Sequence, residues 1–192
     1  MASIILLGPP GAGKGTQREK LVKKYNFKEI IPGDLMREEV KNKTELGIEL
    51  EYYINNGLLA PHEIAMKIVK KKIDEYHNQG YKDIIFDGFP RELEQSDALE
   101  DIIKDYPDYK IKHIIFIDVD DNCVVERIKN RSLTSGRADD SDIEVTKTRI
   151  RVYHQKTANV VKKYKKLGLL KVINGGNDVE KVFEDICNIL DK

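Results

Sequence analysis

Short apolar runs recur along the chain, with helical or polar segments between them. Five of these runs are interpreted as strands, and they lie at residues 3–7, 29–31, 83–86, 113–117 and 171–173. Because the runs are apolar at consecutive positions, both faces of each strand should be buried, which is typical of a parallel sheet covered by helices on both sides. The pattern therefore predicts an α/β fold with a five-stranded parallel sheet.

Two segments repeat apolar residues about every 3.6 positions, the period of an amphipathic helix. The first contains Ile64, Ala65, Ile68, Val69, Ile73 and Tyr76, and the second contains Val179, Val182, Phe183, Ile186, Cys187 and Leu190. We interpret both stripes as core faces and assign them no function. A further helix is predicted after the first strand, ending near Tyr25.

Two stretches differ from this alternation of strands and helices. Residues 32–61 are predicted to form two short helices between a strand and a longer helix, and residues 131–142 are polar, contain glycine and lie between two helical segments. In open α/β sheets, such excursions can form flaps over the carboxyl edge of the strands, where ligands bind. We expect these two stretches to be the moving parts.

The first strand leads into a glycine-rich segment, residues 8–16, with the sequence GPPGAGKGT. Glycines let the backbone turn tightly and point its N–H groups inward, the start of a helix adds partial positive charge, and Lys14 adds a full charge for nucleotide β- and γ-phosphates. Gly15 follows the lysine, so the hydroxyl of the commonest motif arrives one place later, as Thr16. An ordinary strand-to-helix turn is the alternative, but the spacing and context favour phosphate binding.

Length and charge limit the classes of protein. The 192 residues suffice for one well-packed domain and are short for two, so residues 1–192 are predicted to form a single domain. The 33 basic and 33 acidic side chains leave no net charge to attract nucleic acid or anionic membranes, and no apolar run approaches the about 20 residues of a membrane span. We expect an intracellular, cytoplasmic protein with neither nucleic acid nor a membrane as partner.

The cysteines and histidines are few and widely spaced. Cys123 and Cys187 are expected to be buried thiols rather than a disulfide or a metal site. The four histidines have no metal-ligand spacing and are interpreted as surface or core side chains.

Asp87 directly follows the apolar run at residues 84–86. An acid at the end of a buried strand, beside a phosphate-binding loop, is the usual place for a carboxylate that organises nucleotide-bound Mg²⁺, here through water. A role for Asp87 as the cap of the next helix is the alternative. We expect Mg²⁺ as the cofactor.

Five arginines lie near predicted strand ends and in the two atypical stretches: Arg37, Arg91, Arg131, Arg137 and Arg149. Arginine presents a planar fork that binds phosphate oxygens in pairs and stays charged, so several arginines at one cleft would suit a phosphoryl group in transfer and the phosphate that accepts it. Any one of them alone is more readily explained as a solvated side chain. Because all five lie near predicted strand ends or in the two atypical stretches, we favour a role in phosphate binding.

Several separated motifs occur in order along the chain: GPPGAGKGT, PGDLMR, NNGLLAP, DGFPRELEQ, and RSLTSGRADD followed by RIRVYHQKT. Through these motifs the sequence resembles the nucleoside monophosphate kinases over essentially its whole length, and the adenylate kinases most closely. The resemblance implies a P-loop kinase core, a small helical monophosphate-binding flap at residues 31–60 and a short lid at about residues 131–142. It also implies a monomer, and a lid this short implies no structural zinc.

The resemblance assigns roles to matching positions. Gly11, Ala12, Gly13, Lys14, Gly15 and Thr16 would bind the ATP phosphates, with Arg131 at the ATP side. Arg37 and Arg91 would hold the acceptor monophosphate, while Arg137 and Arg149 would close over the transferring phosphoryl group. The residues expected to act in transfer are Lys14, Arg91, Arg131, Arg137 and Arg149. Those expected around AMP are Pro32, Arg37, Leu58, Leu59, Ala60, Gly88, Phe89, Pro90, Arg91, Gln95, Arg137 and Arg149.

Two positions bear on the choice of monophosphate. Gln95 stands where adenylate kinases have a glutamine that reads the adenine edge, whereas UMP/CMP kinases carry asparagine there. Pro32 stands where adenylate kinases usually have a threonine that contacts the base, so one expected contact is missing. AMP is favoured over UMP or CMP as the acceptor. A hydrogen bond from Gln95 to the edge of the base distinguishes between bases more strongly than the contact of a residue such as Pro32 in the wall of the site.

The lid departs from the family pattern in one respect. The interval from Asp139 and Asp140 to Arg149 is one residue longer than usual, which leaves the partner of Arg149 open.

The predicted activity is reversible phosphoryl transfer from Mg-ATP to AMP, giving two ADP, with UMP/CMP kinase as the same-class alternative. A switch GTPase is an alternative from another class. Guanine-reading GTPases carry an Asn-Lys-x-Asp element after a late strand, whereas the one similar string here, NKTE at residues 42–45, lies near the start of the chain and ends in glutamate. An inactive nucleotide-binding scaffold is a third interpretation, which Lys14, Asp87 and the five arginines disfavour.

Overall fold

The structure is a computed structural model, and it describes residues 3–133, 140 and 142–192. Five strands form one parallel sheet in the order β2-β3-β1-β4-β5. They are β1 (Ser3–Leu7), β2 (Lys28–Ile30), β3 (Ile84–Asp87), β4 (Ile111–Asp118) and β5 (Leu170–Asn174). The predicted α/β fold with a five-stranded parallel sheet is confirmed.

Helices connect the strands and cover both faces of the sheet. They are α1 (Lys14–Tyr25), α2 (Pro32–Lys41), α3 (Glu45–Asn55), α4 (His62–Asn78), α5 (Leu93–Lys104), α6 (Asp121–Ser132), α7 (Ile143–Val152), α8 (Ala158–Lys166) and α9 (Val179–Leu190). A π-helical turn at Tyr153–Thr157 joins α7 to α8. The helices predicted from periodicity, α4 and α9, are confirmed. In the described part of the chain, no helix combines the length and the apolar character needed to cross a membrane.

The buried strands explain the continuous apolar runs. Successive side chains of a strand point to opposite faces of the sheet. Ile5 and Leu7 pack on one face with α4, α5 and α8, whereas Ile4 and Leu6 pack on the other with α1, α6 and α9. All four side chains are fully buried, so both faces of β1 are apolar from Ile4 to Leu7.

The strand order places a crevice beside β1. The chain runs from β1 first to β2 and β3 on one side, and later to β4 and β5 on the other. In open parallel sheets, ligands bind at the carboxyl ends of the strands where the order changes direction. The N–H of Gly88, just after β3, donates to the carbonyl of Leu6 in β1 at 3.0 Å. The loops that follow these two strands therefore start side by side.

The two short helices predicted between a strand and a longer helix are α2 and α3, which lie between β2 and α4. Met36 of α2, Leu50 of α3 and Ala65 of α4 belong to a small buried cluster that is separate from the two sheet cores. α3 approaches α2 so closely at Gly47 that a β-carbon there would lie 2.0 Å from the carbonyl oxygen of Glu39. The packing of α3 on α2 thus depends on a position without a side chain.

Both cysteines are free thiols. Cys187 is buried in α9, as predicted, whereas Cys123 is only half-buried in α6, so the prediction that it is buried is wrong.

Candidate active site

The loop between β1 and α1 is shaped by glycines at its most crowded points. A β-carbon would lie 2.7 Å from the carbonyl oxygen of Ile117 if placed on Gly8, and 3.0 Å from that of Val124 if placed on Gly11. Gly13 adopts a positive φ of 93° directly before α1, and a β-carbon there would meet no described atom within 4 Å. The start of α1 therefore faces the cavity described below, an arrangement that binds phosphate.

Lys14 is the first residue of α1, and its side chain folds back over the loop. Its Nζ donates to the carbonyls of Gly8 at 2.8 Å and Pro9 at 2.9 Å. Burial lowers the pKa of Lys14 from its ordinary value of 10.5 to about 8, while the Asp87 carboxylate opposes the shift and nearby arginines, Arg91 foremost, add to it. A bound phosphate would raise the pKa of Lys14 again, so the site favours an anion.

Asp87 is the last residue of β3, and only 8% of its side chain is exposed. Arg18 of α1 lies against it, with Nη1 3.2 Å from Oδ2 of Asp87. The same guanidinium places Nε 2.6 Å from Oε2 of Glu29, and Nη1 4.0 Å from Oδ2 of Asp34. α5 begins only at Leu93, so the alternative that Asp87 caps this helix is wrong. With Glu19, whose Oε1 lies 3.4 Å from Nη2, four carboxylates thus surround one arginine at the edge of the cavity.

The loop between β3 and α5 carries Arg91 and is held from two sides. The backbone N–H of Arg91 donates to Oε1 of Gln95 at 2.8 Å, and its carbonyl accepts from the hydroxyl of Thr157 at 3.0 Å. Arg91 Nε donates to the carbonyl of Gly88 at 2.7 Å, and the Phe89–Pro90 peptide bond between them is cis. These contacts fix the direction in which the Arg91 guanidinium points.

Arg37 and Arg91 converge over Gly33, although they belong to different elements. A β-carbon on Gly33 would lie 3.3 Å from Nη2 of Arg37 and 3.5 Å from Nη2 of Arg91. Arg37 also donates to Oδ1 of Asp34 at 2.5 Å. Two guanidinium groups this close repel each other less when an anion joins them, so this corner suits a phosphate.

The two groups of cations meet at Gly88. A β-carbon there would lie 3.2 Å from Nη2 of Arg91 and 3.6 Å from Cε of Lys14. Gly88 has a φ of +64°, so its conformation favours glycine as well. The side chains of Lys14 and Arg91 therefore reach the same point from the loops after β1 and β3.

Asp140 joins Arg131 of α6 to Arg149 of α7. Its carboxylate accepts from Nε and Nη2 of Arg131 at 2.6 and 2.7 Å, and from Nη1 of Arg149 at 2.6 Å. Burial would raise the pKa of Asp140, but the hydrogen bonds and charges of the two arginines outweigh it and hold the pKa below its ordinary value. Asp140 therefore binds Arg149. The longer interval between Asp140 and Arg149 had left this contact open in the sequence. Arg137 lies outside the described residues.

These groups surround one cavity of about 800 Å³. The predicted site residues that line it are Gly11, Ala12, Gly13, Lys14, Gly15, Thr16, Pro32, Arg37, Leu58, Leu59, Ala60, Asp87, Gly88, Phe89, Arg91, Gln95, Arg131 and Arg149. Pro90 was also expected at the site, but it is buried and is not part of the lining. One volume thus contains both the phosphate-binding loop and the converging arginines.

Comparison with known proteins agrees with this geometry. Residues 6–169 match the family described as adenylate kinase. The chain belongs to the adenylate kinase family. A protein named adenylate kinase from Synechococcus sp. (strain JA-2-3B'a(2-13)) is 40% identical over 192 residues, which is 100% of this chain and 97% of the relative.

Two further relatives of the same name cover nearly all of both chains. The protein from Bacteroides fragilis (strain YCH46) is 39% identical over 191 residues, 100% of this chain and 99% of the relative. The protein from Leptospira biflexa serovar Patoc (strain Patoc 1 / Ames) is 37% identical over 187 residues, 97% of this chain and 98% of the relative. The prediction of a nucleoside monophosphate kinase is confirmed, and the adenylate kinase family is favoured over the UMP/CMP kinases.

Sequence reasoning missed several residues at the site of this adenylate kinase family member. Arg18 and Arg127 both line the cavity, and Arg127 donates to the carbonyl of Gly175 at 2.8 Å. In the sequence, Arg18 and Arg127 resemble solvated arginines of helices. For Arg18 one signal was available: it follows Lys14 by four residues, which places these two side chains on the same face of α1. Thr157 ends the motif RIRVYHQKT, but nothing in the sequence pairs it with Arg91, which is 66 residues away.

Proposed function

We propose that this protein catalyses the reversible transfer of the γ-phosphoryl group of Mg-ATP to AMP, giving two molecules of ADP. The observation that carries the proposal is one cavity lined both by the loop with Lys14 and by the paired arginines Arg37 and Arg91. A phosphate-binding loop alone would suit any protein that binds a nucleoside triphosphate. A second anion-binding corner in the same cavity suits a kinase that binds a donor and an acceptor nucleotide together.

The donor nucleotide would bind at the start of α1. The backbone N–H groups of residues 11–16 and the Lys14 ammonium would hold its phosphates, with Arg131 at the same side of the cavity. The cavity continues past the loop to Arg127, Asn177 and Val179. This extension leaves room for the nucleoside part of ATP.

The acceptor would bind on the side of the flap. Arg37 and Arg91 would hold its phosphate, and apolar side chains such as Leu59 and Phe89 offer a wall to a base. Gln95 lines the same region and is 3% exposed. Its Oε1 accepts from the N–H of Arg91, while its Nε2 makes a longer contact of 3.5 Å with Glu92. Nε2 is therefore the atom of Gln95 that we assign to the base.

In this transfer the side chains position the two nucleotides and neutralise charge, and none of them forms a covalent bond to the substrate. An anionic oxygen of AMP attacks the γ-phosphorus, the bond to the β–γ bridging oxygen breaks, and ADP leaves from the donor side. Lys14 would neutralise charge where the two halves meet, at Gly88. Arg131 and Arg149, oriented by Asp140, would do so from the lid side. Arg137 stays a predicted member of this set.

Asp87 is the residue that we assign to Mg²⁺, through bound water. Its carboxylate is an oxygen donor in the cavity wall. Such a donor fits Mg²⁺, which prefers oxygen ligands and keeps several waters when it is bound through substrate phosphates, although the Arg18 cation beside Oδ2 opposes a second cation there. The described residues contain no group of three or more His, Cys, Asp or Glu placed to hold a metal, and a phosphate-bound Mg²⁺ does not need one. When bound, Mg²⁺ would neutralise charge on the β- and γ-phosphates.

Water must be kept from the site, because it would otherwise accept the phosphoryl group. The flap already contacts the helix that follows the lid: a β-carbon on Gly57 would lie 2.8 Å from Cγ of Arg149 and 2.8 Å from the carbonyl oxygen of Val145. We infer that residues 31–60 and residues 131–142 close over the nucleotides as movable parts of one domain. The absence of structural zinc stays a prediction, because residues 134–139 lie outside the described part of the chain.

The proposal is tested by incubating the protein with ATP, AMP and Mg²⁺ and quantifying all nucleotides. We expect ATP and AMP to disappear in equal amounts and two ADP to form per turnover. Two adenosines linked through five phosphates should bind with a stoichiometry of one and block turnover. Lys14→Met, with an unchanged circular dichroism spectrum, should abolish it. Release of inorganic phosphate without loss of AMP would indicate a hydrolase, and nucleotide binding without turnover would indicate a scaffold.

We also propose that the protein is a cytoplasmic monomer that acts on ATP, AMP and ADP without a nucleic acid or membrane partner. The balance of 33 basic and 33 acidic side chains supports the absence of a nucleic acid or membrane partner. Light scattering during size-exclusion chromatography should give a mass near 22.1 kDa. A mass twice as large would contradict the monomer.

A further inference from the structure

Arg18 links three acidic residues that belong to different elements. Its side chain is 12% exposed and lies between Asp87 at the end of β3, Glu29 in β2 and Asp34 near the start of α2. Asp34 in turn binds Arg37, which belongs to the acceptor corner. A chain of charge contacts therefore runs from the carboxylate assigned to Mg²⁺ to an arginine assigned to the acceptor phosphate.

The contacts of Arg18 divide along its guanidinium. Nε lies 2.6 Å from Glu29, and Nη1 lies 3.2 Å from Asp87 and 4.0 Å from Asp34. The group is planar and rigid; Nη1 makes a hydrogen bond to Asp87, whereas Nε makes a close charge contact with Glu29 that lacks hydrogen-bond geometry. Without this cation, Asp87, Glu29 and Asp34 would repel one another in a partly buried place, and Asp87 would lose its hydrogen bond from Arg18 beside the cavity.

We propose that Arg18 is a positioning residue that acts through Asp87: it is the internal counter-cation of this carboxylate, and it competes there with nucleotide-bound Mg²⁺. The proposal rests on the phosphoryl transfer proposed above. In the absence of Mg²⁺, Arg18 shields the nucleotide phosphates from the charge of Asp87. With Mg²⁺ present, the Arg18–Asp87 contact weakens while the Glu29 contact keeps Arg18 in place.

The measured quantity is the gain in nucleotide affinity that Mg²⁺ provides. Calorimetric titration with the non-transferring ATP analogue AMP-PNP gives its dissociation constant without and with Mg²⁺. The ratio used is the dissociation constant without Mg²⁺ divided by the one with Mg²⁺. Arg18→Gln should raise this ratio by at least about threefold, because Mg²⁺ loses its competitor and free AMP-PNP loses its shield against Asp87. Arg18→Lys keeps the charge but not the planar fork, so its ratio should lie between those of the unmodified protein and Arg18→Gln.

A double-mutant cycle separates this role from a general loss of positive charge. In an Asp87→Asn background, Arg18→Gln should change the ratio by less than about 1.5-fold, because its partner carboxylate is no longer charged. An equal rise in both backgrounds would overturn the proposal, as would an unchanged ratio in Arg18→Gln alone. The matched control is Arg151→Gln, at an exposed arginine of α7 outside the cavity lining, which should leave the ratio unchanged.

A second measurement uses the unmodified protein, in case Arg18→Gln does not fold. The side-chain ¹⁵N resonances of Arg18 are recorded by nuclear magnetic resonance in the AMP-PNP complex, before and after Mg²⁺ is added. They should shift on addition of Mg²⁺, whereas those of Arg151 should not; unshifted Arg18 resonances would overturn the proposal. Failure of the proposed function would be seen separately, as a protein that binds AMP-PNP but does not phosphorylate AMP.

Discussion

Arg149 donates a hydrogen bond of 2.6 Å to Asp140, whose side chain is fully buried. The same carboxylate binds Arg131 through two hydrogen bonds. One acid thus holds two of the arginines assigned to the phosphoryl group. Asp140→Asn keeps the shape of the side chain but removes the negative charge that the two guanidinium groups share. We expect kcat to fall by at least about tenfold in steady-state assays, with a smaller change in KM for AMP.

The control for this change is Asp120→Asn, at the exposed cap of α6. Its side-chain oxygen accepts from the N–H groups of Asn122 and Cys123, and asparagine caps a helix about as well as aspartate. This variant should keep the kcat of the unmodified protein. A kcat for Asp140→Asn equal to that of the control would show that the Asp140 cluster plays no part in transfer.

Gly47→Ala should weaken the acceptor side selectively. The added β-carbon would lie 2.0 Å from the carbonyl oxygen of Glu39, so α3 must move away from α2. We expect a loss of about 1–3 kcal/mol in the free energy of unfolding and a several-fold higher KM for AMP. The KM for ATP should stay within about twofold, because the donor loop lies outside the flap. Glu49→Ala, at an exposed position of the same helix, is the control. An unchanged KM for AMP would contradict a flap that depends on this contact.

Lys14 should make donor binding weaken as the pH rises above about 8, the pKa to which burial lowers it. Bound phosphate favours the charged lysine, so binding in this range takes up a proton. We expect the affinity for AMP-PNP to fall by up to about tenfold per pH unit above that pKa. Calorimetry in buffers of different ionisation enthalpy measures the proton uptake. Lys14→Met should bind more weakly and lose this dependence, and a variant that retained it would contradict the assignment to Lys14.

The same pKa shift has the opposite sign for folding. Because folded Lys14 holds its proton less tightly than unfolded Lys14, its contribution to the free energy of unfolding rises with pH between about 8 and 10.5.

Gln95→Asn should reduce the use of AMP more than the use of UMP. The shorter side chain withdraws the amide both from the N–H of Arg91 and from the base. We expect kcat/KM for AMP to fall by about tenfold or more, as is usual when a polar contact to a substrate is lost. The dissociation constant of AMP-PNP should be unchanged. Equal losses for AMP and UMP would show that Gln95 only supports the Arg91 loop.

Much of the fold and of the donor side could be predicted from the sequence, because the signals are local. β1 is apolar at each residue from Ile4 to Leu7, and the glycine pattern before Lys14 has few other uses. Asp87 could be placed at the cavity because parallel strands present their carboxyl ends at one edge of the sheet. The prediction erred there by one residue, since Asp87 is the last residue of β3.

The remaining contacts depend on how helices pack, which local patterns do not encode. Arg18 meets Asp87 across 69 positions of the chain, and Thr157 meets Arg91 across 66. The sequence shows that the interval before Arg149 is longer than usual, but it does not show which acid then contacts Arg149. Only the structure identifies Asp140 as the acid that pairs with Arg149. The π-helical turn at Tyr153–Thr157 had no counterpart in the apolar pattern.

The identity of the acceptor is measured with a panel of monophosphates. Coupled assays with Mg-ATP and either AMP, UMP, CMP or GMP give kcat/KM for each. We expect the kcat/KM for AMP to exceed each of the others by at least about tenfold, the discrimination expected from a polar contact to the base. The side chain of Pro32 offers the base no hydroxyl and its backbone no N–H, so we assign this preference to Gln95. A larger kcat/KM for UMP or CMP than for AMP would show that AMP is not the preferred acceptor.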